Sequence, residues 1–299
     1  MNNIKKDIKK AKSLLKKDVK KEKSGKNRLI YLALTLALAL ISYFAYTYLM
    51  PTGDVVVHFI DVGQGDATLI VAPGGAVLID GGDNHMGSRV VDYLLSQNIR
   101  HLDYVIATHP HADHIGGLID VINHLPINTV IIPEVVHTTR TFERFIDALE
   151  NNEVNVAAPV AGGGFRLGDV RFTVLAPNSS GHRNLNHYSI VLLMEYGSVS
   201  FLFTGDAEEL TEREIIQNHN IRADVLQVGH HGSFTSTTAE FLDEIRPKIG
   251  VISLGYNNRY GHPHNVVLNR LQERNILIYR TDYHGHVVIS TDGRGIYVQ

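Results

Sequence analysis

Thr108-His109-Pro110-His111-Ala112-Asp113-His114-Ile115-Gly116-Gly117 decides the reading of this 299-residue chain. Four potential metal ligands, His109, His111, Asp113 and His114, fall within six positions. The largely apolar run Leu102 to Ala107 before them predicts a buried strand, and the glycine pair after them a turn into a helix. A strand end followed by a tight loop converges side chains that a regular helix would splay apart. Imidazole suits zinc, manganese or iron, and an added carboxylate suits a second, harder position. Two ions a few ångströms apart would activate one water and clamp a scissile group.

Working outward, further candidate ligands recur at predicted strand ends. All 17 histidines lie beyond residue 57. Phe203-Thr204-Gly205-Asp206 puts a carboxylate after an apolar strand, where Asp206 can bridge two ions or cap the helix that starts at Glu208. Val228-Gly229-His230-His231-Gly232-Ser233 follows another strand, as a ligand pair or a simple turn. Tyr260-Gly261-His262-Pro263-His264 precedes a helix, and Asp80 sits in Leu78-Ile79-Asp80-Gly81-Gly82.

Short apolar runs bounded by Gly or Pro predict strands at 55–60, 67–72, 76–79, 104–107, 129–132, 170–175, 189–195, 199–203, 225–228, 249–253, 276–279, 286–289 and 296–298. Helices are predicted at 90–95, 117–125, 141–150, 208–218, 238–245 and 266–274. This is an α/β (α+β) pattern that fits two packed sheets covered by helices. One globular domain, 54–299, is the simplest expectation, because no linker or repeat interrupts it.

The N-terminal part differs in charge. Residues 1–28 carry eleven lysines and Arg28 against Asp7, Asp18 and Glu22, net +9. The remainder holds 16 basic and 28 acidic residues, net −12, with Lys248 its single lysine. Between these, Leu29 to Met50 has 22 residues and no charge, roughly 33 Å of helix. The expectation is a basic cytoplasmic segment 1–28, as a membrane-surface helix or a disordered stretch, and a transmembrane anchor 29–50. The membrane is thus an expected partner through Leu29–Met50, with the C-terminal domain extracellular at a bacterial cell membrane. A cleaved signal peptide competes, but both the basic and the apolar stretches are long for one. With no cysteine there are no disulfides and no thiolate ligands.

The combination resembles the metallo-β-lactamase superfamily over roughly Val55 to Gln299. Within it, the chain is similar to the extracellular hydrolase domain of ComEC-type competence proteins and their free-standing relatives. The resemblance rests on Asp61-Val62-Gly63-Gln64-Gly65-Asp66-Ala67 and on the four runs around His109, Asp206, His230 and His262. It implies an αββα sandwich, here preceded by one N-terminal transmembrane helix, and two divalent metal ions. Zinc is the expected metal and manganese the alternative. His109 and His111 would hold the first ion, Asp113 and His114 the second, and Asp206 would bridge them. His230 would complete the second site, with His231 either replacing it or contacting substrate. Asp80 matches an aspartate that orients the first cluster. The superfamily's usual histidine before the bridging aspartate is replaced by Leu185-Asn186-His187-Tyr188-Ser189. Asn186 and Ser189 fit the ComEC-type pattern, while His187 sits off register, leaving the first site open or weak. Asp113 would steer the attacking water, His262 would aid the leaving group, and His264 and Ser233 would contact substrate.

The resemblance implies a phosphodiesterase or nuclease acting on a phosphodiester substrate such as DNA. Phosphorylcholine-esterase-like action on cell-wall polymer is a related reading. A net charge of −12 does not favour tight binding along a long phosphate backbone. A lactonase or other ester hydrolase would need an apolar pocket, for which Phe142, Phe145 and Phe165 are candidates. A surface assembly factor with a vestigial metal site is the non-enzyme alternative.

Overall fold

The computed structural model describes residues 34–41 and 54–299. Contacts divide the chain into Met1–Pro51 and Thr52–Gln299. In the first unit, residues 34–41 are helical. No helix among the described residues is long and apolar enough to cross a membrane. That overturns the expected single-pass anchor and the cell-membrane placement drawn from it. The basic segment 1–28 and most of 29–50 lie outside the described residues.

The second unit contains two sheets. The first has eight strands, β1 (Val55–Phe59), β2 (Thr68–Ala72), β3 (Gly75–Ile79), β4 (Leu102–Ile106), β5 (Ile127–Ile131), β6 (Asn155–Ala157), β14 (Val287–Thr291) and β15 (Ile296–Val298). Their order is β15-β14-β1-β2-β3-β4-β5-β6. The second sheet has seven, β7 (Gly164–Leu167), β8 (Val170–Ala176), β9 (Val191–Tyr196), β10 (Val199–Phe203), β11 (Val225–Gln227), β12 (Ile249–Ile252) and β13 (Leu277–Arg280). They run in the order β13-β12-β11-β10-β9-β8-β7.

Period-two alternation sorts the core into layers. Val57, Phe59, Ile70, Val77, Ile79 and Ile106 of the first sheet meet Phe172, Leu192, Met194, Phe201 and Phe203 of the second. Their neighbours Leu69, Leu78 and Val105 face outward onto helices α1 (Gly87–Ser96), α2 (Ala112–Ile115), α3 (Leu118–His124) and α4 (Arg140–Asn151). On the other side Leu202, Leu226 and Ile252 pack under α5 (Glu209–Asn218), α6 (Ala239–Ile245) and α7 (Asn265–Glu273). The order helix, sheet, sheet, helix follows from these faces. Each fully buried Phe or Leu contributes about 1.5–3 kcal/mol, so the sheet interface is a stiff base for a site at its edge.

Strand direction decides which edge that is. β3 to β6 are mutually parallel, as are β10 to β13. β1 is antiparallel to β2 and β2 to β3, so β1 runs with β3. The loops that leave β1, β3 and β4 therefore emerge together, and Ile190 N–H donates to Thr108 O across the sheets at 3.0 Å. Two strands were not expected from sequence, β6 and β7. β7 starts at the last glycine of the run Gly162-Gly163-Gly164, and its pairing with β8 carries it. The strand expected from Ser189 begins at Val191 instead, because Ser189 closes the turn Leu185–Tyr188, its N–H donating to Asn186 O at 3.0 Å, while its hydroxyl accepts from Asp206 N–H at 3.2 Å.

Candidate metal centre

Main chain forms the floor of the site. Asp66 N–H donates to Asp113 O at 3.1 Å, Gly82 N–H to Asp66 O at 2.8 Å, Gly81 N–H to His114 O at 2.7 Å and Gly117 N–H to Gly82 O at 2.9 Å. These bonds lock together the loops after β1, β3 and β4. Two glycines permit the approach. Gly65 has φ +139°, and a Cβ there would lie 2.3 Å from Asp113 O. A Cβ on Gly117 would lie 1.9 Å from Gly81 O.

Onto this floor the His/Asp run delivers its side chains. His109 and His111 present Nε2 and Nδ1 to each other at 2.9 Å. His109 Nε2 lies 3.6 Å from Asp206 Oδ2, and His114 Nε2 lies 3.2 Å from Asp206 Oδ1. Asp206 thus turns one oxygen to each side; the alternative capping role is absent, since Glu208 is the N-cap of α5. Asp80 is fully buried. It accepts from Thr108 N–H at 2.9 Å and Thr108 Oγ1 at 2.7 Å, and lies 2.8 Å from His114 Nδ1. That contact fixes the ring so that Nε2 faces Asp206.

The adjacent histidines separate. His230 and His231 both adopt left-handed backbone, φ 49° and 55°, a costly conformation for residues with a Cβ. It sends the two rings to different sides of Asp206. His231 is buried, with Nδ1 2.9 Å from Ser253 O, and Nε2 3.4 Å from Asp113 Oδ2 and 3.6 Å from Asp206 Oδ1. It thereby stands beside His114, where His230 was expected. His230 Nε2 lies 3.6 Å from Asp206 Oδ2, the oxygen that faces His109. Its Nδ1 lies 3.2 Å from Glu208 Oε1 and 3.2 Å from Thr235 Oγ1. Glu208 also accepts from Asn186 Nδ2 at 3.0 Å and Asn184 Nδ2 at 2.7 Å.

Two donor sets result, His109–His111–Asp206 and Asp66–His114–Asp206–His231. Asp66 was not anticipated as a site residue, although it lies in the quoted Asp61–Ala67 run. The donors suit divalent cations. His114 Nε2, His231 Nε2 and Asp206 Oδ1 are buried without a hydrogen-bond partner. Buried polar atoms in proteins are as a rule hydrogen-bonded, so three orphans converging on one point fit a cation there.

Charge supports the same fit. Burial disfavours a charged His114, yet Asp206 and Asp80 raise its pKa well above the ordinary value. His231, against the same burial penalty, is raised to about 9, with Asp206 and Asp113 as partners. Burial would raise Asp206, but His114 and His231 hold it well below the carboxylate range. Burial likewise works against an ionised Asp113, which His231 and His114 keep low. Asp66, by contrast, is raised by burial, and His109 is lowered by burial and by His114. Metal-free, the cluster holds protons on His114 and His231 that a divalent cation would displace.

Other expected residues fall differently. His187 lies against His182, ring centroids 5.2 Å apart, with Nδ1 3.4 Å from Thr211 Oγ1, and is not part of either donor set. Ser233 is buried and bonds Thr235 Oγ1 at 3.0 Å, stiffening its own loop instead of facing substrate. His262 lines a cavity of about 380 Å³ with Gln64, Asp113, Asp206, His230 and His231. Burial and His231 lower it to about 4. His264 is the N-cap residue of α7 and its Nδ1 accepts from Phe234 N–H at 3.1 Å. Phe145 is core on the buried face of α4, and Phe165 stacks on Tyr104 and Phe172. Only Phe142 of the three expected pocket phenylalanines lines a surface depression, alongside Ile132 and Val136.

The family model of the metallo-beta-lactamase superfamily matches residues 60–256. ComE operon protein 3 of Bacillus subtilis is 36% identical over 263 residues, covering 82% of this chain and 34% of that protein. Recombination protein 2 of Haemophilus influenzae is 33% identical over 239 residues, covering 78% of this chain and 28% of its own length. The chain thus spans about a third of the length of these relatives. Among solved structures, CmlA, a diiron beta-hydroxylase from Streptomyces venezuelae, superposes with TM-score 0.55 at 13% identity, over 80% of this chain and 55% of that one, a likeness of fold. Sheets, strand-end donors and sequence match agree, and the chain belongs to the metallo-beta-lactamase superfamily.

Proposed function

We propose that the domain is a two-metal phosphodiesterase, with nuclease action as its first specific form. The observation that carries this is Asp206, one buried carboxylate whose two oxygens face two separate histidine groups. In this reading His109, His111 and His230 hold one divalent ion, and His114, His231 and Asp113 or Asp66 hold the other. Zinc is the first expectation and manganese the second. Divalent ions there would supply Lewis acidity and a water of lowered pKa.

The chain's own residues would do the rest. Asp113 is the most open of the four carboxylates, at 27% side-chain exposure against 3% or less for Asp66, Asp80 and Asp206. It would accept a hydrogen bond from the attacking water and hold it in line. His262, which lines the cavity with Asp206, His230 and His231, would donate a hydrogen bond to a phosphoryl or leaving oxygen. Asp80 and Glu208 would fix the tautomers of His114 and His230. Two features favour phosphodiesters over esters. The expected phenylalanines do not form an apolar pocket at the cleft, and a relative carries recombination, a nucleic-acid process, in its name.

The test loads the full chain separately with zinc and manganese. Bis-p-nitrophenyl phosphate, single-stranded DNA and a lactone are assayed beside His109→Ala and Asp206→Ala. Metal-dependent cleavage of phosphodiesters, lost in both variants, is expected. Turnover of the lactone alone refutes the assignment.

A further inference from the structure

Four rings form a continuous row along the rim of the cleft. Tyr260 stacks on His262 with centroids 5.6 Å apart and planes 22° from parallel. His262 meets His264 edge-on at 4.9 Å, and His264 meets Phe234 edge-on at 5.1 Å. Both ends are open to solvent, Tyr260 at 48% and Phe234 at 60%. The Arg259 guanidinium lies 5.0 Å from the Tyr260 ring centre, and its Nη2 donates to the Tyr260 hydroxyl at 2.8 Å.

The row passes directly by the donor sets. Tyr260 and His262 line the cavity that holds Asp206, His230 and His231. Tyr260 also lines a neighbouring cavity of about 510 Å³ with His85 and Arg259. Phe234 lines another, of about 420 Å³, with Glu208 and Arg213. A single exposed aromatic residue needs no explanation. Two exposed rings joined through two histidines beside a metal-type cluster are a surface for flat ligands.

The proposal rests on the phosphodiesterase reading above. We infer that Tyr260 and Phe234 are base-stacking residues, and that the substrate is a single-stranded nucleic acid held by its bases more than by its phosphates. Charge leads to this choice. Beyond residue 28 the chain is net −12 with one lysine, so phosphate neutralisation and counterion release supply little affinity. Stacking of a base on an aromatic ring is worth about 1–3 kcal/mol and needs no net positive charge. Bases in a duplex are already stacked on each other, so a ring row of this kind engages strands or frayed ends whose bases are free.

The experiment uses the full chain and two fluorescein-labelled oligomers of equal length, oligothymidylate and one built of abasic sites. Binding is read by anisotropy in EDTA, and cleavage with manganese or zinc. Tyr260→Ala and Phe234→Ala are expected to weaken oligothymidylate binding and raise its KM about 5- to 150-fold each. Tyr260→Phe should restore most of it, and binding of the abasic oligomer should not respond to any of the three. Equal effects on both oligomers, or none on oligothymidylate, overturn the inference while leaving phosphodiesterase activity standing. Tyr260-dependent binding of oligothymidylate without cleavage of either oligomer keeps the stacking surface and overturns the phosphodiesterase reading instead.

Discussion

Replacing Asp80 by asparagine tests how the histidine cluster is held. The carboxylate accepts from Thr108 N–H and Thr108 Oγ1 and fixes His114 Nδ1, at 2.9, 2.7 and 2.8 Å, and it is fully buried. An amide offers one acceptor oxygen and one NH₂ donor. With nitrogen in the Oδ2 position, Asp80→Asn confronts both the Thr108 hydroxyl and His114 Nδ1–H. With nitrogen in the Oδ1 position it confronts only Thr108 N–H, so this orientation is favoured. A buried N–H left unsatisfied costs about 1–3 kcal/mol, which lowers Tm by roughly 2–12 °C for a domain of this size. The contact behind His114 then survives without its charge, and metal affinity falls about 10- to 100-fold. The assay is a zinc titration against a chromophoric chelator, beside thermal melts of metal-free protein. A variant that binds zinc within about threefold of the parent would refute the claim that Asp80 orients His114 for a metal.

Gly65→Ala should be among the most damaging changes outside the ligands, since its Cβ would lie 2.3 Å from Asp113 O at φ +139°. Strain of about 1–3 kcal/mol, plus loss of the Asp66 to Asp113 bond, predicts a Tm lower by several degrees; an unchanged melt would show that the floor gives way cheaply. Glu212 is pushed up to about 7 by burial, even though it accepts from Thr238 N–H at 2.9 Å. Between its ordinary value of 4.5 and about 7 the native state keeps a proton that the unfolded chain has lost. Stability therefore falls as pH rises through that window, by about 3 kcal/mol in all, and levels off above it. Glu212→Gln should remove this component, seen as a smaller difference between urea midpoints at about pH 5 and pH 8. Parent and variant curves that stay parallel would place Glu212 outside the pH response.

Much of the candidate site was legible because its donor side chains come in short runs at strand ends. His109, His111 and His114 share one loop, and Asp206 and His231 sit just past β10 and β11, so local patterning announced them. Asp66 was not legible in the same way. It becomes a neighbour of His114 only because β1 runs with β3, which is a fact of sheet order rather than of local sequence. The roles of His230 and His231 turn on two left-handed backbone angles that no residue type there encodes. His187 shows the converse: a histidine at a plausible place whose turn, capped by the Asn184 side chain, points it elsewhere. β7 was hidden by the glycines that lead into it. The apolar Leu29–Met50 pattern predicted a spanning helix, while the described residues contain none that is long and apolar enough.

The floor and the rim of the cleft are made of different material. The floor is a lattice of N–H and C=O groups between the loops after β1, β3 and β4, with glycines where no side chain fits. The rim around Tyr260 is side chain, carried on an irregular loop between β12 and α7. Substitutions in the floor change backbone geometry and so are felt by every donor at once. Substitutions in the rim change what lies over the cleft and leave the donors where they are. Such a protein can drift in the molecules it accepts while its reaction stays fixed, and comparisons among its kin should find variation concentrated at 256–260 and constancy at 63–66, 80–82, 113–117 and 262.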